Sequence, residues 1–495
     1  MGASLVLAYD VGTSGVKAVV VDGHGCVLGS SLQSYRVDTP RPGWVEQDVE
    51  AILAALGLAS RAVLASLAID PGDVAGVGVT AQMFCVVPVD GAGRALRPML
   101  SWLDQRARWE AEAIAAGAGA DSGYAIFDAV LTAKDIVPRI VWLRAHERWA
   151  VGRTAWYLDC KEAIVARLTG QVATDPAGSS AFRLVDRATG DWAEEACRVA
   201  GVPRSRLPRI LPAASVVGRL TREAASLTGL RAGTPVVVGA GDVPASQIGA
   251  GATGPGDVHL SLGTAVYFGI TSSEHLVDPA RKLGPLRHAV PGEWILWLEV
   301  ATGGAALSWL DRLLAGLGRL EGDRDFGAVD RAVEAAEGEM EGLVFAPWLT
   351  GERVPLFDDA LRAAFVGLGL HHGPAHLYRA VMEGVASQIA WAFDYGRAFG
   401  IEPAAIRAVG GGSISSAWTR IIAGSLGRRL EIVAEPQTVG ARGAAACALV
   451  GVGLAADLRS AVPAQVDRTV EATTAEVRRA RDRLEQLQGL YPALR

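Results

Sequence analysis

Asparagine is absent from this 495-residue chain, and lysine occurs four times, at positions 17, 134, 161 and 282. Arginine fills nearly every other basic position, a chain-wide coding bias that makes each retained lysine mildly informative. Cysteine is scarce as well, and Cys26, Cys85, Cys160, Cys197 and Cys447 include no C-x-x-C pair. An odd, dispersed set fits buried reduced thiols in a cytosolic protein better than disulfides or a zinc site. No uninterrupted apolar run approaches the ~18–20 residues that span a bilayer, and no basic flank marks a secretory leader. Aromatic residues make up 6 %, yet 50 % of the chain is apolar and 20 % charged, which excludes disorder. Runs of basic residues are missing and the formal net charge is −6, which argues against nucleic acid as a partner. A cytoplasmic protein with no membrane partner is expected.

What is present is length and repetition. A chain of this size needs two or more cores. Ala8-Tyr9-Asp10-Val11-Gly12-Thr13-Ser14-Gly15-Val16-Lys17 and Val258-His259-Leu260-Ser261-Leu262-Gly263-Thr264-Ala265-Val266-Tyr267 read as echoes of each other. Each is a β-favouring run, a tight Gly-Thr turn and a second β run. Such a turn offers backbone N–H groups and a hydroxyl at its tip, as a phosphate chain requires. A lone D-x-G-T occurs by chance; two such turns, one in each half, suggest a duplicated domain gripping a nucleotide.

Residues 4–31 predict an antiparallel meander, and Asp48 caps a predicted helix running to about Leu67. Strands are expected at 74–80 and 84–89, and helices at 101–120, 132–150 and 157–169. The programme restarts with strands at 236–240, 257–262 and 265–271 and helices at 304–317 and 376–400. A strand at 406–409, a Gly-rich turn, a helix at 416–427, a strand at 430–433 and a helix at 440–452 follow. A charged helix at 474–490 ends the chain as a solvated face. Hairpin starts in both halves of an α/β chain predict two actin-like (ribonuclease H-like) domains, 1–235 and 236–495.

Several clusters carry chemistry. Gly239-Ala240-Gly241-Asp242 puts a carboxylate at a strand end, suited to a general base or a magnesium ligand. A helix-capping aspartate would look the same. Pro244 at the position of a third glycine removes a dinucleotide fingerprint. Gly410-Gly411-Gly412-Ser413-Ile414-Ser415-Ser416 opens a helix and could hold a phosphate or lie flat on a base, or be a plain turn. Asp10 reads as a metal or water ligand or a turn-stabilising residue, and Lys17 as a phosphate contact or an exposed strand lysine. Gln82, Met83 and Phe84 with Trp102, Asp104, Gln105 and Arg106 combine polar groups with aromatic planes, as sugar sites do, or are core.

In order and spacing these pieces resemble the FGGY carbohydrate kinases, most closely the xylulokinase-like branch, nearly end to end. Asp10-x-Gly12-Thr13-x-x-x-Lys17 and Ser261-Leu262-Gly263-Thr264 match the two phosphate loops. Gly239-x-Gly241-Asp242 matches the catalytic aspartate motif, and Gly410-Gly411-Gly412-Ser413-x-Ser415-x-x-Trp418 the adenosine motif. Ala363 through Phe365, Gly367, Leu368, His376, Leu377 and Ala380 to Glu383 fits the second family signature. Pro347-Trp348-Leu349-Thr350-Gly351-Glu352-Arg353-x-Pro355 resembles another family run. Pro138-Arg139-Ile140-Val141-Trp142-Leu143 stands where the first signature has Pro-Lys.

The resemblance implies an ATP·Mg²⁺-dependent sugar or polyol kinase with an interdomain cleft, in which Asp242 is the catalytic base. It implies Asp10 and Asp242 at the metal. Thr13, Ser14, Lys17, Gly263, Thr264, Gly304, Ser308, Gly411, Gly412 and Ser415 would contact ATP. Gln82, Met83, Phe84, Trp102, Asp104, Asp242 and Val243 would contact the sugar. A homodimer is common in the family. Phe84-Cys85 replaces the His-Gly usual in xylulokinases and Val243 an asparagine, so two polar sugar contacts are lost together. A pentulose such as xylulose is the first expectation, and a tetritol, glycerol or a deoxy-sugar the second. A catalytically silent ATP-binding sugar sensor on the same fold is the alternative from another class, and an actin-like chaperone or filament ATPase a further one.

Overall fold

The computed structural model describes residues 4–118, 120–280, 282–315, 326–358, 360–403 and 405–495. The chain divides into two compact units, each with its own sheet. Unit 1 comprises Met1–Thr253, Ser272–Ile295 and Thr438–Ala464, and unit 2 comprises Gly254–Thr271, Leu296–Gln437 and Gln465–Arg495.

Seven strands build the sheet of unit 1: β1 (Leu5–Val11), β2 (Gly15–Val21), β3 (Val27–Ser34), β4 (Val74–Ala81), β5 (Val216–Arg219), β6 (Pro235–Val237) and β7 (Ala240–Gly241). Their order is β5-β6-β4-β1-β2-β3, with β7 also pairing β4. The expected meander is β1 to β3, antiparallel, with a register shift between Val20 and Val21 where β2 pairs β3. β1 and β4 are parallel and buried almost throughout, so they read as continuous apolar runs rather than alternations. The expected boundary at 235/236 falls inside this unit. The chain near 236 does not open a new sheet: Val236 pairs with Val77 and Ala240 with Thr80, extending the old one.

The helices of unit 1 that bear on the site are α1 (Val49–Ser66), α2 (Ile136–His146), α3 (Cys160–Thr169), α4 (Asp242–Ala250) and, late in the chain, α9 (Val439–Gly451). By length and composition α1 is long and apolar enough to cross a membrane, although no uninterrupted apolar run marks it in the sequence. Glu50, Ser60 and Arg61 interrupt its sequence, while Ile52, Leu56, Ala59 and Val63 bury against the sheet as a core helix does. The helix expected over 101–120 starts at Arg108, because residues 101–106 turn around a buried Asp104. That expected over 157–169 is a strand, Trp156–Leu158, followed by α3, whose first N–H is capped by Asp159.

Between α4 and α9 the backbones touch. A Cβ on Gly249 would fall 1.9 Å from Val439 O, and one on Gly443 1.9 Å from Ala245 O. Only glycine permits that approach, and it holds α4 along its length against the first half of α9.

Unit 2 repeats the hairpin opening with β8 (Val258–Leu262) and β9 (Val266–Ser272), followed by β10 (Trp294–Val300), β11 (Ile406–Val409), β12 (Leu430–Val433) and β13 (Val466–Val470). The order is β10-β9-β8-β11-β12-β13. Its helices include α5 (Gly304–Ala315), α6 (Phe326–Ala335), α7 (Pro374–Arg397), α8 (Ser416–Leu426) and α10 (Thr474–Leu494). The last two residues expected in the 304–317 helix lie outside the described residues.

Candidate active site

In unit 1 three parallel strands end side by side. β4 lies between β1 and β7, with Thr80 opposite Asp10 on one side and Ala240 on the other. Asp10, one residue short of the end of β1, and Asp242, immediately after β7, therefore stand at the carboxyl edge of the sheet, where ligands bind in open α/β sheets. Lys17, on β2, is in register with Asp10 across the hairpin. All three side chains are half-buried.

The charges act on one another. Burial raises the Asp10 carboxyl above its ordinary value, and Lys17 opposes that shift. Burial lowers the Lys17 ammonium, and Asp10 restores part of it. Burial first and then the charge of Asp10 push the Asp242 carboxyl up to about 7. The helix-cap alternative for Asp242 is corrected: the N-cap is Gly241, Asp242 is the first helical residue, and its Oδ1 accepts its neighbour's Val243 N–H at 2.9 Å. Gly239 is left-handed, at φ 73°, and a Cβ there would lie 2.0 Å from Val79 O. This glycine lets the chain pass from β6 into β7 against β4.

The first phosphate-type turn is braced from several loops. Gly12 N–H bonds Gly15 O at 3.0 Å, and Tyr35 donates its hydroxyl to Gly12 O. Trp102 Nε1 donates to Thr13 Oγ1 at 3.0 Å. Gln47 Nε2 donates to Thr13 O at 2.7 Å and Gln82 Nε2 to Gln47 Oε1 at 3.1 Å, which joins the sugar-type loop to the turn. Ser14 is exposed at the tip.

The sugar-type loop follows β4. Phe84 has a left-handed backbone, φ 61°, unusual for a bulky residue. Asp159 holds it there, accepting the N–H groups of Phe84 and Cys85, each at 2.8 Å. Burial and the charge of Glu162 push Asp159 up to about 8. From the other side Arg139 donates to Phe84 O, and it also bonds Ser101 O and Lys134 O. Met83 packs beneath Gly241, and Val243 is buried. Asp104 does not face open space. It is fully buried, with Arg106 Nε at 2.9 and 3.0 Å from its two oxygens and Val45 N–H at 2.6 Å, so it organises the loop that carries Trp102.

In unit 2 the second turn is fastened to a helix start. Gly303 N–H and Ala305 N–H bond Thr264 O at 2.9 and 3.1 Å, and Gly304 N–H bonds Gly263 O at 2.8 Å. Ser308 lies one turn along α5 from Gly304, on the same side. Gly410 is left-handed, and a Cβ on it would meet Leu262 O at 2.8 Å. Gly411 has nothing within 4 Å of its Cβ direction, whereas Gly412 lies against Trp418. Ser415 is buried and occupied. It caps α8 by accepting Trp418 N–H at 3.0 Å, and it donates to Asp330 at 2.6 Å.

Sequence reasoning singled out none of Gln47, Tyr35, Asp159 or Asp330; the one signal available for Arg139 was its place in a family signature. These residues reach the site through contacts far apart in the chain.

The model of the FGGY family of carbohydrate kinases, N-terminal domain, matches residues 5–249, and that of the C-terminal domain residues 258–452. The chain belongs to the FGGY family of carbohydrate kinases. It is a phosphotransferase, with the two-domain fold of that family. It is similar to the xylulose kinase of Klebsiella pneumoniae, 30 % identical over 92 % of this chain and 91 % of that one. A gluconokinase of Bacillus subtilis (strain 168) is 25 % identical over 77 % of this chain and 75 % of that one. The crystal structure of xylulose kinase from Rhodospirillum rubrum superposes with a TM-score of 0.85 at 28 % identity, covering 99 % of each chain. The family so found removes chaperone and filament ATPases from consideration.

Proposed function

We propose that this kinase transfers the γ-phosphoryl group of ATP to a hydroxyl of a small ketose, with Asp242 as the general base. One observation carries the reading: a carboxyl tuned to about 7 stands at the carboxyl edge of the sheet beside a second carboxylate and an ammonium. A base near the working pH is partly free to accept a proton and basic enough to keep it through the transfer. Asp242 takes the hydroxyl proton as the oxygen attacks phosphorus. Lys17, Thr13 and Ser14 meet the phosphate, where charge spreads over the equatorial oxygens. Gly263 and Thr264 offer backbone and hydroxyl to the phosphate chain. Gly304, Ser308, Gly411 and Gly412 form the surfaces for the adenosine, with Ser415 acting as the cap beneath them.

The donors present fit magnesium. That ion takes oxygen ligands, often one or two carboxylates with phosphates and waters. Asp10 and Asp242 are such donors, and Gly440 keeps free the space beside Asp10 Oδ2 that a side chain would fill. Bound there, the ion neutralises phosphate charge. Asp10 would hold it directly or through water.

On the acceptor side, Gln82, Met83, Phe84, Trp102 and Val243 offer an apolar ring, an indole plane and few polar groups. A pentulose such as xylulose is the leading acceptor on the strength of the relatives. Phe84 and Val243 favour a second one, a less hydroxylated, epimeric or deoxy substrate, because a hydroxyl buried without a partner costs about 1–3 kcal/mol. A coupled ADP-release assay with ATP·Mg²⁺ against xyluloses, ribuloses, erythritol, erythrulose, glycerol and deoxy-ketoses tests the reading. Turnover of a ketose, abolished in Asp242→Asn while ATP still binds, is expected. Near-normal rates in Asp242→Asn would overturn the assignment. Silence across the panel with ATP bound would favour the sensor.

A further inference from the structure

We infer that Glu352 is a positioning residue for the nucleotide loops of unit 2, acting through the segment that enters α5. The inference rests on the nucleotide role proposed for Gly263, Thr264 and Gly304. Glu352 is 1 % exposed, yet it carries a carboxyl. Its Oε1 accepts two backbone N–H groups, those of Ala301 and Arg353, each at 2.8 Å. Its own backbone is tied down: Glu352 and Asp358 exchange N–H to O=C bonds at 2.9 Å in both directions, and Val354 N–H bonds Glu299 O at 3.2 Å. Glu352 is thus a fixed post to which Ala301 is attached.

Ala301 is the first residue after β10. Two residues on, Gly303 N–H reaches Thr264 O, and Gly304 N–H and Ala305 N–H close on Gly263 O and Thr264 O. Two residues span at most about 7 Å, so little of a shift at Ala301 can be absorbed before Gly303. Nor is there slack at the far end. A Cβ on Gly303 would lie 2.6 Å from Val266 Cγ2 and 3.0 Å from Gly263 O. A displacement of Ala301 is passed to the Gly263–Thr264 turn.

A residue needed only to fill space here would be apolar. Instead Oε2 is buried with no hydrogen-bond partner among the described residues, and burial, with the charge of Glu299, pushes the carboxyl up to about 8. Such a group is costly to bury. What it contributes is an acceptor oxygen at a defined place, and a neutral carboxyl or carboxamide can supply that oxygen too.

The test compares the intact enzyme with Glu352→Ala, Glu352→Gln, Glu352→Asp and, as reference, Thr264→Ala. KM is measured separately for ATP and for the sugar, together with the Kd of a fluorescent ADP analogue and the Tm. Glu352→Ala is expected to raise the ATP KM and the ADP Kd about tenfold, with the sugar KM within about twofold. Glu352→Gln is expected to restore both nucleotide constants to within about threefold. Equal rises in both KM values with a lowered Tm would overturn the inference, as would unchanged nucleotide constants while Thr264→Ala raises them. Unchanged constants in Thr264→Ala would instead remove the nucleotide reading on which it stands. Should Glu352→Ala not fold, Glu352→Asp decides: a nucleotide-selective loss supports the inference and no loss overturns it.

Discussion

Gly440 stands against Asp10 so closely that a Cβ added at 440 would lie 2.8 Å from Asp10 Oδ2. Gly440 is the second residue of α9, and Asp10 is on the opposite end of the sequence. Ala in place of a helical glycine normally stabilises by up to about 1 kcal/mol. Here the methyl group would push on the carboxylate proposed to hold the metal. Gly440→Ala is therefore expected to lower kcat/KM at least about tenfold while leaving Tm unchanged or raised. Kinetics and a melt on the same sample check this; full activity would show that the space beside Asp10 is unused.

The pH dependence follows from Asp242. As a base it must be ionised, so kcat/KM should fall as pH drops through about 7 and level off above it. Stability runs the other way. The folded value is raised above the ordinary carboxyl value, so the folded state binds the proton more tightly. The protonated carboxyl's contribution is fully present below about 4 and is lost as pH rises through about 7. Asp242→Asn should flatten that decline in Tm, and a slope identical to the parent would mean that Asp242 does not titrate there.

Arg139 offers a third test. Fully buried, it donates to the carbonyls of Phe84, Ser101 and Lys134, and its Nε to Asp135 O at 3.1 Å. A planar guanidinium with five N–H groups can serve four loop carbonyls; an ammonium with three cannot. Arg139→Lys, although it restores the family's usual residue, should raise the sugar KM several-fold with the ATP KM unchanged. A sugar KM equal to the parent's would separate Arg139 from the Phe84 loop.

These three cases show where the sequence was readable. Asp10, Lys17 and the Gly-Thr turns were legible because strand, turn and chemistry sit within ten residues, and register follows from a short hairpin. Asp242 was legible as a strand-end carboxylate, but its strand was assigned to the wrong sheet, since pairing with β4 depends on residues about 160 positions earlier. Phe84 was read as an altered sugar contact, while its left-handed backbone depends on Asp159 and Arg139, which no local pattern links to it. Asp104 was read as a contact because an aromatic neighbour suggested a site; its enclosure by Arg106 two residues on is a matter of side-chain direction, which spacing alone does not settle.

Ser415 gives the last prediction, because its hydroxyl is committed twice. It accepts from Trp418 N–H as the cap of α8 and donates to Asp330, whose other oxygen accepts from Ser416 N–H at 2.8 Å. A contact to adenine through the hydroxyl would have to break one of these. Removing a serine cap costs about 1 kcal/mol, and a buried carboxylate deprived of a donor adds to that. Ser415→Ala should lower Tm by a few degrees and move the ATP KM by less than about threefold. By contrast Gly411→Ala, at a position where an added Cβ meets nothing within 4 Å beyond its chain neighbours, should leave Tm alone and raise the ATP KM if that open space receives the nucleotide. A selective rise in ATP KM for Ser415→Ala at constant Tm would return the hydroxyl to the nucleotide and assign the cap a lesser part.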